Sequence, residues 1–323
     1  MIPVTISSGT DVFHDVDLEK SIANVEQIVA AAKQSYVKGA IPLDETDKLY
    51  DEMVKKIHDI VVMMKNPNNA YKFLKGKGID RIIILNMDVP HEKLRTQLLV
   101  LLNTLFDIAP TTANAVIPIN VVDKLLDIFE NEDNLALKAH ALDILYVWLP
   151  ENPKVQARVM KLKGLEPFYH QISKLDTNVV HTLLDLFNKI VKEHLEIRSN
   201  IRPTSKTDSD KLILYQRIGL IERLSTTPVC NGLLNIFQTT WSYSTKDNDI
   251  IVPILNIMTK VKLFCLKNFQ GNPKALELFN TLLKFVTDDK TKEYLESFKL
   301  NASEIETTLV EYVNSLKQVN DEL

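Results

Sequence analysis

Gly78-Ile79-Asp80-Arg81-Ile82-Ile83, Asn120-Val121-Val122-Asp123-Lys124-Leu125 and Gly164-Leu165-Glu166-Pro167-Phe168 are three segments of one kind, and their first residues stand 42 and 44 positions apart. Each follows a helical pattern and opens a short apolar helix. A polar turn comes next (residues 86–90, 130–134 and 173–178), and then a longer amphipathic helix. In the first long helix Leu94, Leu98, Leu101, Leu102 and Leu105 recur at intervals of three and four, which sets them on one helical face. A unit this small cannot bury its own apolar stripe, so successive units must stack and share a continuous core.

Working outward, Gly219-Leu220-Ile221-Glu222-Arg223-Leu224 reads as a fourth start, displaced to 55 residues by the polar stretch from Ser199 to Asp210, which is expected to be a mobile loop. Upstream, Leu49, Met53, Ile57 and Ile60/Val61 repeat the helical spacing, and period-two alternation is almost absent. The period and helix order are those of armadillo or HEAT units. The expected fold is therefore all-α, an armadillo/HEAT-like right-handed solenoid of about four repeats with helical caps at both ends. Residues 1–15 read as a loose leader and 16–323 as one domain. Within it lie N-terminal capping helices (16–75), central repeats (76–198), a polar loop (199–213), C-terminal repeats and cap (214–319) and a tail (320–323). In the final helix Ser303 and Glu306 have the spacing of a capping box.

The 323 residues contain only 8 glycines, too few for folds that depend on Gly-rich phosphate loops or many tight hairpins. Lys and Arg (38) nearly balance Asp and Glu (42), without large blocks, so no nucleic-acid or anionic-membrane footprint is visible and a protein partner is expected. The longest apolar runs, such as Leu98 to Leu102, fall far short of the roughly 18 residues that span a bilayer. No catalytic constellation emerges. His91-Glu92 is followed by Arg95 where a zinc-protease helix needs its second His, and Lys75-Gly76-Lys77-Gly78 reads as a turn between helices rather than a phosphate loop. Neither a metal nor a cofactor is expected. Cys230 shares a face with Leu233, Leu234 and Phe237, and Cys265 continues the stripe Ile254, Met258, Val261. Both read as small core thiols, with a disulfide clamping neighbouring repeats as the alternative. Trp148 extends the core stripe Leu137, Ala141, Ile144, Leu145.

Met160-Lys161-Leu162-Lys163-Gly164-Leu165, the long helix after it, Leu214-Tyr215-Gln216-Arg217, the two cysteines and Tyr312-Val313-Asn314-Ser315-Leu316-Lys317 together resemble the armadillo-type nucleotide exchange factors of the heat-shock-seventy chaperones. The similarity spans roughly residues 17–317 and is greatest to the endoplasmic-reticulum branch. It implies a monomeric co-chaperone, not an enzyme, that grips one lobe of the nucleotide-binding domain of a BiP-type chaperone with its concave face and so promotes ADP release. Asn320, Asp321, Glu322 and Leu323 resemble a Lys-Asp-Glu-Leu retention signal, and Asn301-Ala302-Ser303 is a glycosylation sequon usable in that lumen. The start at Met1 has no secretory signal, which keeps a cytoplasmic member of the same architecture, or a generic peptide-binding scaffold, as alternatives; a start trimmed of its signal is the expectation.

Helical geometry selects the strip beside the leucine stripe as the partner-binding face. That strip carries Arg95, Leu99 and Asn103 in the first unit, Lys138, Leu142 and Tyr146 in the second, and His181, Asp185 and Asn188 in the third.

Overall fold

A computed structural model describes residues 11–38, 43–199, 206–244 and 250–320. Among them the protein is all-α, with no strand, and its helices gather into two compact units that divide between Trp148 and Leu149.

The first unit contains α1 (Asp11–Lys38), α2 (Leu43–Met64), α3 (Pro67–Lys75), a π-helical turn (Ile79–Ile84), α4 (Glu92–Ile108), α5 (Pro110–Val116), α6 (Val121–Asn131) and α7 (Leu135–Trp148). Helices α2, α4 and α7 lie side by side as a ladder, with α4 in the middle; α1 packs on α2, and α6 on α7. Capping residues set the boundaries. The Asn66 side chain accepts from Asn68 N at 2.9 Å ahead of Pro67, His91 Nδ1 accepts from Leu94 N at 3.2 Å, and Asn134 Oδ1 accepts from Ala136 N at 2.9 Å. His91 is thus a cap rather than a remnant of a metal face. Between α4 and α5 the chain turns by 119° at Ala109-Pro110, where proline supplies no donor to continue the helix. Lys75-Gly76-Lys77-Gly78 is the turn the sequence implies, with Gly76 closing α3 and Lys77 at φ 60.

The second unit contains α8 (Pro153–Leu162), α9 (Glu166–His170), a 3-10 turn (Ile172–Lys174), α10 (Thr177–Ser199), α11 (Lys206–Ile218), α12 (Leu220–Leu224), α13 (Thr227–Ser244), α14 (Ile251–Phe269), α15 (Pro273–Val286), α16 (Asp289–Ser297) and α17 (Ala302–Asn320). Its ladder is α10, α14 and α17. Phe279 stacks on Tyr312 with ring centroids 4.3 Å apart, and Phe269 closes the same cluster. Each such fully buried aromatic is worth about 1.5–3 kcal/mol of transfer free energy.

Four readings of the sequence change here. Helix α1 starts at Asp11, inside the stretch read as leader to residue 15; residues 1–10 lie outside the described residues. The loop expected over 199–213 is helical from Lys206, because Lys206 to Ile218 packs its Tyr215 and Ile218 inward against α8 and α10; residues 200–205 are not described. Two long helices follow the Gly219 opener, and it is α14 that joins the ladder. Helix α13 packs on α14 and also on α9, where a Cβ on Gly232 would fall 2.7 Å from the Tyr169 ring, so glycine is what lets those two approach. Cys230 and Cys265 are not free thiols: they form a disulfide joining α13 to α14, with Cα atoms 5.3 Å apart. Finally, α17 is capped by Asn301, whose Oδ1 accepts from Glu304 N at 3.1 Å. Glu306 pairs with Lys292 at 2.9 Å, so the Ser303/Glu306 capping box does not form.

Candidate partner-binding faces

In the first unit, α4 buries Leu94, Leu98, Leu99, Leu101, Leu102, Leu105 and Phe106, an arc of nearly half the helix circumference. The cause is its central place in the ladder. Helices α2 and α7 both pack on α4, and the short α3 and α5 pack on it as well, so the strip beside the stripe is itself core. Leu99 (1 % exposed) and Leu142 (0 %) are therefore packing residues, not groove surface. Lys138 is 3 % exposed and turned inward, its Nζ donating to Phe129 O at 2.9 Å and Glu130 O at 3.2 Å, where it satisfies carbonyls at the end of α6. Arg95 is half-buried and pairs with Glu132 at 2.5 Å. Only Asn103 and Tyr146, both half-buried, remain at the edge of the outer face.

The outer face lies further round each helix, reached one residue on or two residues back from that strip. It carries Thr96, Val100, Thr104 and Asp107 on α4, and Ala136, His140, Asp143 and Val147 on α7. Val147 is 40 % exposed. The signal was present in the spacing: Thr96, Val100 and Asp107 stand two residues, about 200°, from Leu94, Leu98 and Leu105, and Asp143 and Val147 stand likewise from Ala141 and Leu145.

In the second unit the outer face of α10 includes His181 and Asp185, together with Lys189 and Lys192. Asp185 pairs with Lys189 at 3.4 Å, and Lys192 with Glu196 at 3.6 Å. Asn188 is turned into the ladder instead. Its Nδ2 donates to Pro253 O at 3.0 Å and its Oδ1 accepts from Lys260 Nζ at 2.8 Å, fastening α10 to α14. Burial, with Lys192 nearby, lowers the Lys260 pKa. Helix α14 is fastened to α17 by Tyr312 Oη donating to Met258 O at 3.0 Å and by the Lys262–Glu311 ion pair. In the middle of this face stands Leu263, 82 % exposed and flanked along α14 by Asn256 and Lys267. An apolar side chain this open on a polar helix face, two positions off the stripe that ends at Val261 and Cys265, is the residue that reading stripes alone passes over.

Asn301 is exposed at the start of α17. Asp321, Glu322 and Leu323 lie outside the described residues, and Asn320 is the last residue of α17.

Each unit thus offers a row of long helices whose outer faces mix polar, charged and isolated apolar side chains. The family model of the SIL1/FES1/HPBP1 C-terminal domain matches residues 69–319. The chain belongs to this family. Its members are nucleotide exchange factors of the Hsp70 chaperones, which act as co-chaperones by binding the chaperone. No curated protein matches the chain. SIL1/FES1/HPBP1 membership makes the helix-ladder faces, rather than any cavity with reactive side chains, the place to look for function.

Proposed function

We propose that the protein is the exchange factor of a BiP-type Hsp70 in the lumen of the endoplasmic reticulum, that it docks on the chaperone's nucleotide-binding domain through the outer faces of its long helices, and that it acts as a monomer without chemistry of its own. The observation that carries the reading is the match of the SIL1/FES1/HPBP1 C-terminal domain over residues 69–319. The compartment is supported by the Cys230–Cys265 disulfide, a bond characteristic of oxidising compartments, and by Asn320-Asp321-Glu322-Leu323, which a retention receptor reads when it stands at a free C-terminus. Asn301 is then the acceptor of an N-linked glycan.

Mechanistically, the protein prefers the opened nucleotide-binding domain. Contacts made only with that state draw the equilibrium toward it, and ADP loses contacts on one side of its cleft. The test is stopped-flow release of fluorescently labelled ADP from a BiP-type chaperone. Saturating protein should accelerate release and should not itself hydrolyse nucleotide; an unchanged release rate refutes the reading. A cytosolic Hsp70 run in parallel tests partner choice, since equal acceleration of both would remove the BiP-type preference.

A further inference from the structure

Between α8 and the α11–α12 corner of the second unit lies a half-open cavity of about 310 Å³, lined by Ala157, Met160, Lys161, Arg217, Ile218, Gly219 and Arg223. Its polar lining is cationic: three basic side chains reach it and no carboxylate does. Three other arginines are paired with carboxylates. Arg81 pairs with Glu19 and Glu26, Arg95 with Glu132, and Arg198 with Glu222. Lys161 and Arg217, by contrast, have no carboxylate partner among the described residues. Arg223 is fixed in place, its Nη1 donating to Met160 O at 3.1 Å.

The neighbouring acids do not cancel this charge. Glu222, next to Arg223 in the chain, is engaged by Arg198 through contacts of 2.8 Å. Glu166 Oε2 and Arg223 Nη1 come together beside Gly164, where an added Cβ would fall 2.0 Å from Arg223 Nη1 and 2.5 Å from Glu166 Oε2. Setting Glu166 against Arg223 still leaves Lys161 and Arg217 uncompensated over one cavity. Arg217 supplies a planar fork of donors, Lys161 a mobile point charge, and Ala157, Met160 and Ile218 an apolar wall. That combination suits a compact, multiply charged oxyanion carried on a less polar body.

We propose that this cavity is a phosphate-binding site, independent of the long-helix faces, taking a free phosphate compound or the phosphate end of a nucleotide. The probe is inorganic pyrophosphate titrated into the full chain by isothermal calorimetry, with ADP and citrate in parallel and ionic strength held constant with sodium chloride. Saturable one-site binding in the range of about 1 mM or tighter is expected. Lys161→Gln and Arg217→Gln should each weaken it about tenfold, the loss of one charge-assisted contact. Both side chains are exposed, so circular dichroism should be unchanged. ADP binding more tightly than pyrophosphate identifies a nucleotide as the source, and equal or weaker ADP binding identifies free phosphate. No saturation up to about 10 mM, citrate binding as tightly as pyrophosphate, or both variants titrating as wild type would each overturn the assignment.

Discussion

Lys138 shows how a charged residue can be structural. It lies where a partner-binding cation was expected, yet its ammonium serves the carbonyls of Phe129 and Glu130 inside the first unit. Lys138→Ala should therefore cost about 2–4 kcal/mol of stability, because it both empties core volume and leaves buried carbonyls unserved. Lys138→Met, which keeps the apolar stem, should cost visibly less. Urea unfolding of the two variants checks this; an unchanged midpoint for Lys138→Ala would show that the side chain is not holding α6 to α7. A second buried group makes the protein sensitive to acid. Gln156 Nε2 donates to Leu149 O at 2.9 Å and to Glu193 Oε2 at 3.1 Å, so its Oε1 faces His194 Nε2 at 2.8 Å and assigns the imidazole proton to Nε2. His194 Nδ1 is buried with no hydrogen-bond partner, Tyr215 packs edge-on against the ring at 4.8 Å, and Tyr215 Oη donates to Glu193. Burial, then the charge of Arg198, depresses the His194 pKa to about 4, with Glu222 opposing weakly. The sign follows directly. Below its ordinary pKa of 6.5 the unfolded chain takes up a proton that the folded one refuses, so stability falls as pH drops from about 6.5 toward 4. Between about pH 7.5 and pH 5 the loss should be about 2 kcal/mol. His194→Gln should flatten that part of the urea-midpoint profile; a variant with the wild-type slope would assign the acid sensitivity elsewhere.

At the scale of helices, the disulfide is the feature with the clearest energetic consequence. It ties α13 to α14 across a sequence separation of 35, next to the ladder that carries Leu263. Closing a loop of that length restricts the unfolded chain by about 4 kcal/mol on the chain-entropy account. Cys230→Ala with Cys265→Ala, or reduction, should lower stability by about 2–4 kcal/mol while leaving helicity at low denaturant unchanged; thermal melts with and without reductant give the answer, and coincident melts would show that the bond contributes nothing. The helices themselves were largely legible in the sequence. Leucines spaced at three and four fix which face of α4 is buried, and Gly78, Asn120 and Gly164 mark where short helices open, because both signals are local. What could not be read is what depends on neighbours. Leu99 is buried because α4 has a helix on each side, a fact that no single helix's periodicity contains. The pattern after Gly219 does not say whether α13 or α14 joins the ladder, since both are long and amphipathic. The cysteines sit on apolar stripes that look alike whether their sulfurs are bonded or free. Asn301 displaced Ser303 as cap because Lys292, on another helix, claims Glu306.

For the molecule as a whole, family membership carries the function, and the exposed residues of the ladders decide how it can be tested. The exposed faces of the ladders were only partly legible: His181 and Asp185 lie on the outer side of α10, whereas Leu263 departs from the stripe that identified its helix. With 82 % of its surface open, Leu263 can be changed to Asp without disturbing the core. As a central anchor its loss should weaken chaperone binding by about 2 kcal/mol, and at a rim by much less; a variant that binds and accelerates ADP release as wild type would move the contact to other residues of the faces. The deeper prediction concerns linkage. If saturating protein lowers the chaperone's affinity for ADP by some factor, then ADP must lower the chaperone's affinity for the protein by that same factor. Two titrations measure the two factors independently, one following labelled ADP and the other following the protein. Agreement, with binding strongest to the nucleotide-free domain, is expected of a factor that selects the opened lobe. If instead release is accelerated while the protein binds the nucleotide-free and ADP-bound domains equally, no population has been shifted. The protein would then lower the barrier to exchange in both directions, and the contacts that matter would be those made only in passing between the two states.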